Sequence, residues 1–222
     1  MKIVERLLGV EKRAQTFVLS TNVIEMRILF LTDDIVRIRA GFTGDFAEES
    51  YSLVMTAWED RMDEVLKGYR HRITPADAVM TEDASKVVLQ GTKLKVVVQK
   101  DPFLLQIYDE EGTLLHEDIP YRGWLCDSNG RRIHTCVMEA EDDYYGFGER
   151  TGQINKREAF MQTAPGDCMG YNPEKTDALY KHIPFYLKLN EKTKKAVGYF
   201  YHTTWECDFN MGRSHSNYTK HH

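Results

Sequence analysis

Eight histidines, four cysteines and 34 acidic residues supply the chain's groups for acid–base, nucleophilic or metal chemistry. Few of them stand at a spacing that such chemistry uses. No P-loop, nucleophile elbow or HExxH zinc helix occurs. Gly146-Phe147-Gly148 is too short for a dinucleotide fingerprint. Two glycines around an aromatic mark a bulge or tight strand bend instead. Asp142-Asp143 and Glu48-Glu49 are adjacent pairs, and neighbours on a strand point to opposite faces. Neither pair suits a shared acid–base site, and both read as solvated. His215, His221 and His222 fall in a polar tail, where a disordered end outweighs a metal site. His182 reads as a rim histidine with one hydrogen bond. Cys126, Cys136, Cys168 and Cys207 contain no CxxC pair and read as reduced, mostly buried thiols. The residues alone therefore assign no catalytic group, no metal ligand set and no cofactor. Aromatics crowd the last third, from Tyr144 to Trp205. Most belong to a core, although a ring face also suits the apolar C–H face of a pyranose.

The elements that would position these residues are strands. With 222 residues, 42% hydrophobic and 28% charged, the chain has an ordinary globular composition and fits one large β domain. A core of this size needs no disulfide or metal staple. The net charge is −5 with no strongly basic stretch, which argues against nucleic acid as a partner. The N-terminal segment has scattered charges and no signal-like apolar run, and no segment approaches a membrane span. A cytoplasmic protein with no membrane partner is expected, and reduced cysteines fit that compartment.

Strand-like runs lie at Thr16–Ser20, Glu25–Leu31, Ile35–Ala40, Tyr51–Thr56, Lys93–Gln99, Leu104–Tyr108 and Thr113–His116. Others follow at Ile133–Glu139, Tyr144–Phe147, Glu158–Thr163, Ile183–Leu189, Ala196–His202 and Glu206–Asn210. Ile35–Ala40 alternates apolar and charged side chains, as a strand with one wet face should. Met62, Val65, Leu66 and Tyr69 recur at helical spacing, so Trp58–Tyr69 admits a short helix. From about Gly148 to Lys181 the pattern is irregular, and a long irregular loop in a compact domain is often functional. The expected fold is all-β: an antiparallel two-sheet β-sandwich over residues 1–222.

The order of motifs adds a resemblance. Tyr145-Gly146-Phe147-Gly148-Glu149 resembles the YGLGE motif of family 31 glycoside hydrolases. Thr151 to Arg157, read TGQINKR, is similar to that family's G-x-L-[DN]-[KR]-R segment. Asp167-Cys168-Met169-Gly170-Tyr171 resembles its [NR]-x-D-x-x-x-Y loop, and Thr176 to Phe185 resembles TDPLYKSIPFF. Ala196–Tyr201 and Asp208–Gly212 are similar to its closing strands. The likeness runs from about Thr32 to Gly212 and is tightest after Tyr144.

This resemblance implies a galactose-mutarotase-like β-sandwich that precedes a catalytic (β/α)₈ barrel. The barrel would carry an aspartate nucleophile and an aspartate acid/base, and the enzyme would retain anomeric configuration. Both catalytic residues would then lie outside this chain, whose role would be to brace the barrel. The resemblance also implies a loop that reaches the sugar site, with Asp167 as its substrate-binding residue. The partners implied are an oligosaccharide or α-glucoside and the chain's own barrel. Where bacterial members often read W-N-T-D, this chain reads Thr163-Ala164-Pro165-Gly166-Asp167. The expected loop, Gly152–Asp177, should project at the surface with Asp167 exposed. A self-contained carbohydrate-binding or mutarotase-like protein is the alternative. A mutarotase needs a general acid and base, typically His and Glu, and no such pair stands out by context.

Overall fold

The computed structural model describes residues 1–66, 70–164, 166–177, 179–215 and 218–221. They form two compact units, Lys2–Leu114 and Leu115–His222. Their regular structure is almost wholly strands, nearly all antiparallel, so the all-β expectation holds, with the ladders divided among several sheets.

The first unit opens with β1 (Lys2–Ile3), β2 (Leu7–Arg13), β3 (Thr16–Thr21), β4 (Glu25–Thr32) and β5 (Ile35–Ala40). Strands β2 to β5 form an antiparallel meander. In β4, Met26, Ile28 and Phe30 are buried while the residues between them are partly exposed. That is the period-two pattern that fixes which face meets the core.

Next come β6 (Met55–Thr56), the single turn of helix α1 (Met62–Leu66) and β7 (His71–Arg72), and β6 pairs with β7 in parallel. The strand expected over Tyr51–Thr56 thus shrinks to two residues. Its earlier part is bent, with Leu53 N–H on Ser50 Oγ at 3.3 Å and Tyr51 and Val54 exposed. The helix is real but short. Asp60 Oδ1 accepts Met62 N–H at 2.8 Å, and Asp63 Oδ2 accepts Asp60 N–H at 3.0 Å. This reciprocal cap satisfies two donors at the helix start. Residues 67–69, with the expected helical Tyr69, lie outside the described residues.

A second sheet holds β8 (Val79–Glu82), β9 (Lys86–Gln90), β10 (Leu94–Lys100) and β11 (Phe103–Asp109). Strands β10 and β11 form an antiparallel hairpin, with Val96 opposite Ile107 and Val98 opposite Leu105.

The second unit takes in most of β12 (Leu114–Glu117), then β13 (Trp124–Cys126), β14 (Arg132–Val137), β15 (Asp142–Gly148) and β16 (Phe160–Gln162). It finishes with β17 (His182–Asn190), β18 (Lys195–Phe200), β19 (Asp208–Asn210) and β20 (Tyr218–His221). One sheet runs β13-β14-β20-β19-β16, and another runs β15-β17-β18. Tyr144, Phe147, Tyr186, Phe209 and Met211 centre the core. The Tyr186 ring stacks on Phe147 and on Tyr199, each at 4.9 Å. Tyr199 and Tyr201 also pack against this core, but Tyr171, Tyr180, Phe185, Phe200 and Trp205 are exposed, so less of the aromatic crowd is core than expected.

The glycine pair flanking Phe147 does mark a bulge. The β15–β17 register slips between Gly146 and Gly148, and φ is positive at Gly146, Phe147 and Gly148.

Two expectations are corrected here. Tyr218–His221 is not a frayed tail but a strand paired to β14 and β19, with Thr219 and His221 buried. Its alternation is polar, so hydropathy hid it. Asp142 is not solvated but buried, accepting Glu139 N–H and Asn190 Nδ2–H, each at 2.9 Å. Buried carboxylates persist when hydrogen bonds replace water. His215 is exposed, and His222 lies outside the described residues.

Candidate functional site

The long irregular stretch is not one surface loop. Strand β16 lies within it and puts Met161 in the core, and Lys156 and Thr163 are buried. The expected projection of 152–177 is therefore confined to its exposed part around 166–175, whose base is pinned. Arg150, nearly enclosed, donates to Phe147 O at 3.1 Å and Gln162 O at 2.6 Å, and pairs with Asp177 Oδ1 at 2.8 Å. The other oxygen of Asp177 accepts Gln162 N–H at 3.0 Å. Gly152 N–H reaches Pro173 O at 3.1 Å, and Thr151 Oγ1 reaches Thr176 O at 2.5 Å. The two ends of the loop are thus tied by neutral bonds and by charge-assisted ones, the latter the stronger kind.

The TGQINKR segment is likewise structural. Asn155 Oδ1 accepts the N–H groups of Tyr144 and Arg157 at 3.1 and 3.0 Å. Lys156 is buried and donates to Thr151 O at 2.8 Å and to Gln153 O. Burial holds its ammonium below the ordinary lysine value. Arg157 donates to Glu139 O and Asp142 O. These polar side chains shape the loop rather than face a ligand.

Asp167 sits on the loop's outer part and is exposed, as expected. Tyr180 donates its hydroxyl to Asp167 Oδ1 at 2.8 Å, and that hydroxyl accepts Cys168 N–H at 3.1 Å. The neighbouring carboxylate holds the Tyr180 phenol above its ordinary value. Glu149 Oε2 accepts the N–H groups of Tyr180 and Lys181 at 3.2 and 3.3 Å, fixing the return of the chain. The loop thus presents a carboxylate and an aromatic side by side, suited to accept a hydroxyl proton and to face an apolar ring surface. Proline 165 and alanine 178 lie outside the described residues. His182 differs from expectation: both of its ring nitrogens are buried without a hydrogen-bond partner among the described residues.

A second polar group was not foreseen. His116, Asp118, His134 and Cys136 meet in the second unit with their donor atoms within 4.8 Å of one another. The signal was His-x-Asp and His-x-Cys, since alternate residues of a strand share a face. Burial opposes charge on both imidazoles. The charges and hydrogen bonds of Cys136 and Asp118 outweigh it, lifting His116 to about 9 and His134 to about 10. Asp118, despite its burial, is drawn down to about 2 by the two histidines. All four cysteines are free thiols, but only Cys136 is buried; the other three are partly exposed, against the expectation that most would be buried.

The chain is thus all-β, with a pinned loop that carries an exposed carboxylate and an exposed tyrosine. Residues 25–210 match the family described as the glycosyl hydrolase 31 N-terminal galactose mutarotase-like domain, and the chain belongs to that family. Among curated relatives, alpha-glucosidase 2 of Bacillus thermoamyloliquefaciens is 29% identical over 210 residues, covering 91% of this chain and 23% of the relative. The isomaltosyltransferase of Sporosarcina globispora is 28% identical over 141 residues, covering 60% of this chain and 12% of that protein. Among solved structures, the Flavobacterium johnsoniae GH31 dextranase, complexed with isomaltotriose, superposes with a TM-score of 0.80 at 22% identity. It covers all of this chain and 25% of that one. The cycloalternan-forming enzyme of Listeria monocytogenes, in complex with a pentasaccharide substrate, gives 0.77 at 16% identity over 99% of this chain and 19% of that one. These structural likenesses show the fold. The chain spans about a quarter or less of the length of each of these proteins. Among the described residues no helix is long and apolar enough to cross a membrane.

Proposed function

We propose that this chain is the non-catalytic N-terminal domain of a retaining α-glucosidase-type glycoside hydrolase. It braces a catalytic barrel and lends the 152–177 loop to the sugar-binding site. The observation that carries this reading is Asp167, exposed on a loop whose base is pinned and whose carboxylate is oriented by Tyr180. Its substrate would be an oligosaccharide or α-glucoside, in keeping with the names of the relatives. Asp167 would accept a hydrogen bond from a sugar hydroxyl.

Retaining hydrolysis needs two carboxyl groups about 5–5.5 Å apart, one as nucleophile and one as acid/base. Asp167 alone orients a sugar; it cannot both protonate the leaving group and trap the anomeric carbon. In this reading both groups belong to the barrel.

The bracing role rests on an exposed apolar face. Ile183, Phe185 and Leu187 alternate outward along β17, and Phe200 lies opposite Phe185. The barrel that makes up much of the remaining length of the relatives is the occupant this face would meet. The free thiols fit a cytoplasmic setting.

The test is Asp167→Asn in the full-length encoded protein, assayed on maltose and aryl α-glucosides. Loss of a charge-assisted hydrogen bond should lower kcat/KM about tenfold or more. Unchanged kinetics would sink the loop assignment. The isolated 222-residue chain should hydrolyse neither substrate. Turnover that survives repurification and vanishes on changing one of its own carboxylates would overturn the non-catalytic reading.

A further inference from the structure

The buried quartet of His116, Asp118, His134 and Cys136 takes no part in the sugar loop. Its four donor atoms converge from strand positions. His116 Nε2 lies 3.0 Å and His134 Nε2 2.9 Å from the same oxygen, Asp118 Oδ1. Cys136 Sγ lies 3.5 Å from His134 Nε2. A tetrahedral zinc with ordinary Zn–N, Zn–O and Zn–S lengths sets its ligand atoms roughly 3.3–3.7 Å apart. A cation at the centre would need to open these separations by only a few tenths of an ångström.

The surroundings complete the pattern. Metal-bound imidazoles present one nitrogen to the ion and donate the other N–H to an outer partner. Here His116 Nδ1 meets the Tyr199 hydroxyl at 3.1 Å, and His134 Nδ1 meets the Tyr201 hydroxyl at 2.8 Å. Trp124 Nε1–H holds Asp118 Oδ2 at 2.6 Å, which leaves Oδ1 turned to the centre. The Trp124 ring also stacks on His134 at 4.0 Å. Gly123 makes room for this arrangement, since a Cβ there would stand 2.9 Å from Asp118 Cβ.

Charge points the same way. A buried carboxylate and thiolate need two positive charges. One dication held by two neutral imidazoles, a carboxylate and a thiolate leaves the site without net charge. Mixed N, S and O donors in a closed, tetrahedral set suit zinc, and four protein ligands mark a structural rather than a catalytic ion.

We propose that His116, Asp118, His134 and Cys136 form a structural zinc site that ties β12, β14 and the segment between them together. The test is metal binding to the 222-residue chain, stripped with chelator and titrated with Zn²⁺ or Co²⁺ against a chromophoric competitor. One equivalent should bind, the thermal midpoint should rise with Zn²⁺, and the Co²⁺ form should show tetrahedral d–d bands with a thiolate charge-transfer band. Cys136→Ser should abolish the charge-transfer band. Should that variant fail to fold, the triple variant Cys126→Ser/Cys168→Ser/Cys207→Ser decides the question, because Cys136 is then the only thiol. Retention of the band supports the site, and its loss overturns it. A folded wild-type chain that binds neither ion would also overturn the proposal, as would stoichiometric binding unchanged in Cys136→Ser and His134→Gln.

Discussion

Tyr180 and Asp167 are thirteen positions apart, yet the tyrosine hydroxyl donates to Asp167 Oδ1 at 2.8 Å and accepts Cys168 N–H at 3.1 Å. The phenol thus bridges the aspartate side chain and the next residue's backbone. It restricts the carboxylate to one direction before any sugar arrives, and such preorganisation lowers the entropic cost of binding.

In the full-length protein, Tyr180→Phe should therefore raise KM a few-fold, less than Asp167→Asn does. The double variant should resemble Asp167→Asn alone, because residues in one hydrogen-bonded unit are not additive. Steady-state kinetics on maltose checks this, and additive losses would show that Tyr180 acts separately.

Gly148→Ala should destabilise the second unit by about 2 kcal/mol or more. Its φ is +81°, and a Cβ would stand 2.3 Å from Lys181 O, so steric overlap adds to left-handed strain. Gly130→Ala, with similar φ but nothing within 4 Å, should cost about 1–2 kcal/mol. Urea denaturation of the two variants side by side gives the comparison; equal losses would refute the clash.

Phe147→Ala removes a fully buried ring that stacks on Tyr186 and meets Phe209 edge-on at 5.2 Å. A loss of about 3–5 kcal/mol is expected, read as a lower urea midpoint. A loss below about 1 kcal/mol would mean that the cluster repacks around the gap.

Acid should weaken the first unit through Asp60. Burial opposes its charge, but hydrogen bonds from Arg70 and Met62 N–H, with the Arg70 charge, outweigh it and hold the carboxyl below its ordinary value. The Arg70 ion pair spans 2.8 Å. A depressed carboxyl stabilises the fold above its unfolded pKa of about 4, and that contribution fades as pH falls through the lower folded value. Arg70→Met should flatten this acid limb in a series of thermal melts between neutral pH and pH 3. An unchanged limb would remove Asp60 from the account.

Legibility followed which side chains face the core. The runs at Glu25–Leu31, Ile35–Ala40 and Lys93–Gln99 were readable because apolar residues dominate them or alternate with charges. Strand β2, read LLGVEKR, was missed because only Leu7 of it is buried, Leu8 is exposed and its second half is charged. Strand β20 was missed for the opposite reason: its inward residues, Thr219 and His221, are polar. Asp167 was legible only through motif order, since one exposed aspartate carries no pattern of its own. The buried quartet escaped because its two halves, sixteen or more positions apart, are joined only by tertiary pairing such as the bridge between Asp118 and Cys136.

The bulge at Gly146-Phe147-Gly148 changes the parity of β15. Asp142 and Tyr144 point inward at even positions, and Phe147 then points inward at an odd one. The strand therefore depends on a count as well as on a composition. Without the bulge, strict alternation from Tyr144 would carry Phe147 outward. These three residues, all at positive φ, thus act as a phase shifter that seats an odd-numbered phenylalanine in the core, and the two glycines supply the backbone freedom it needs.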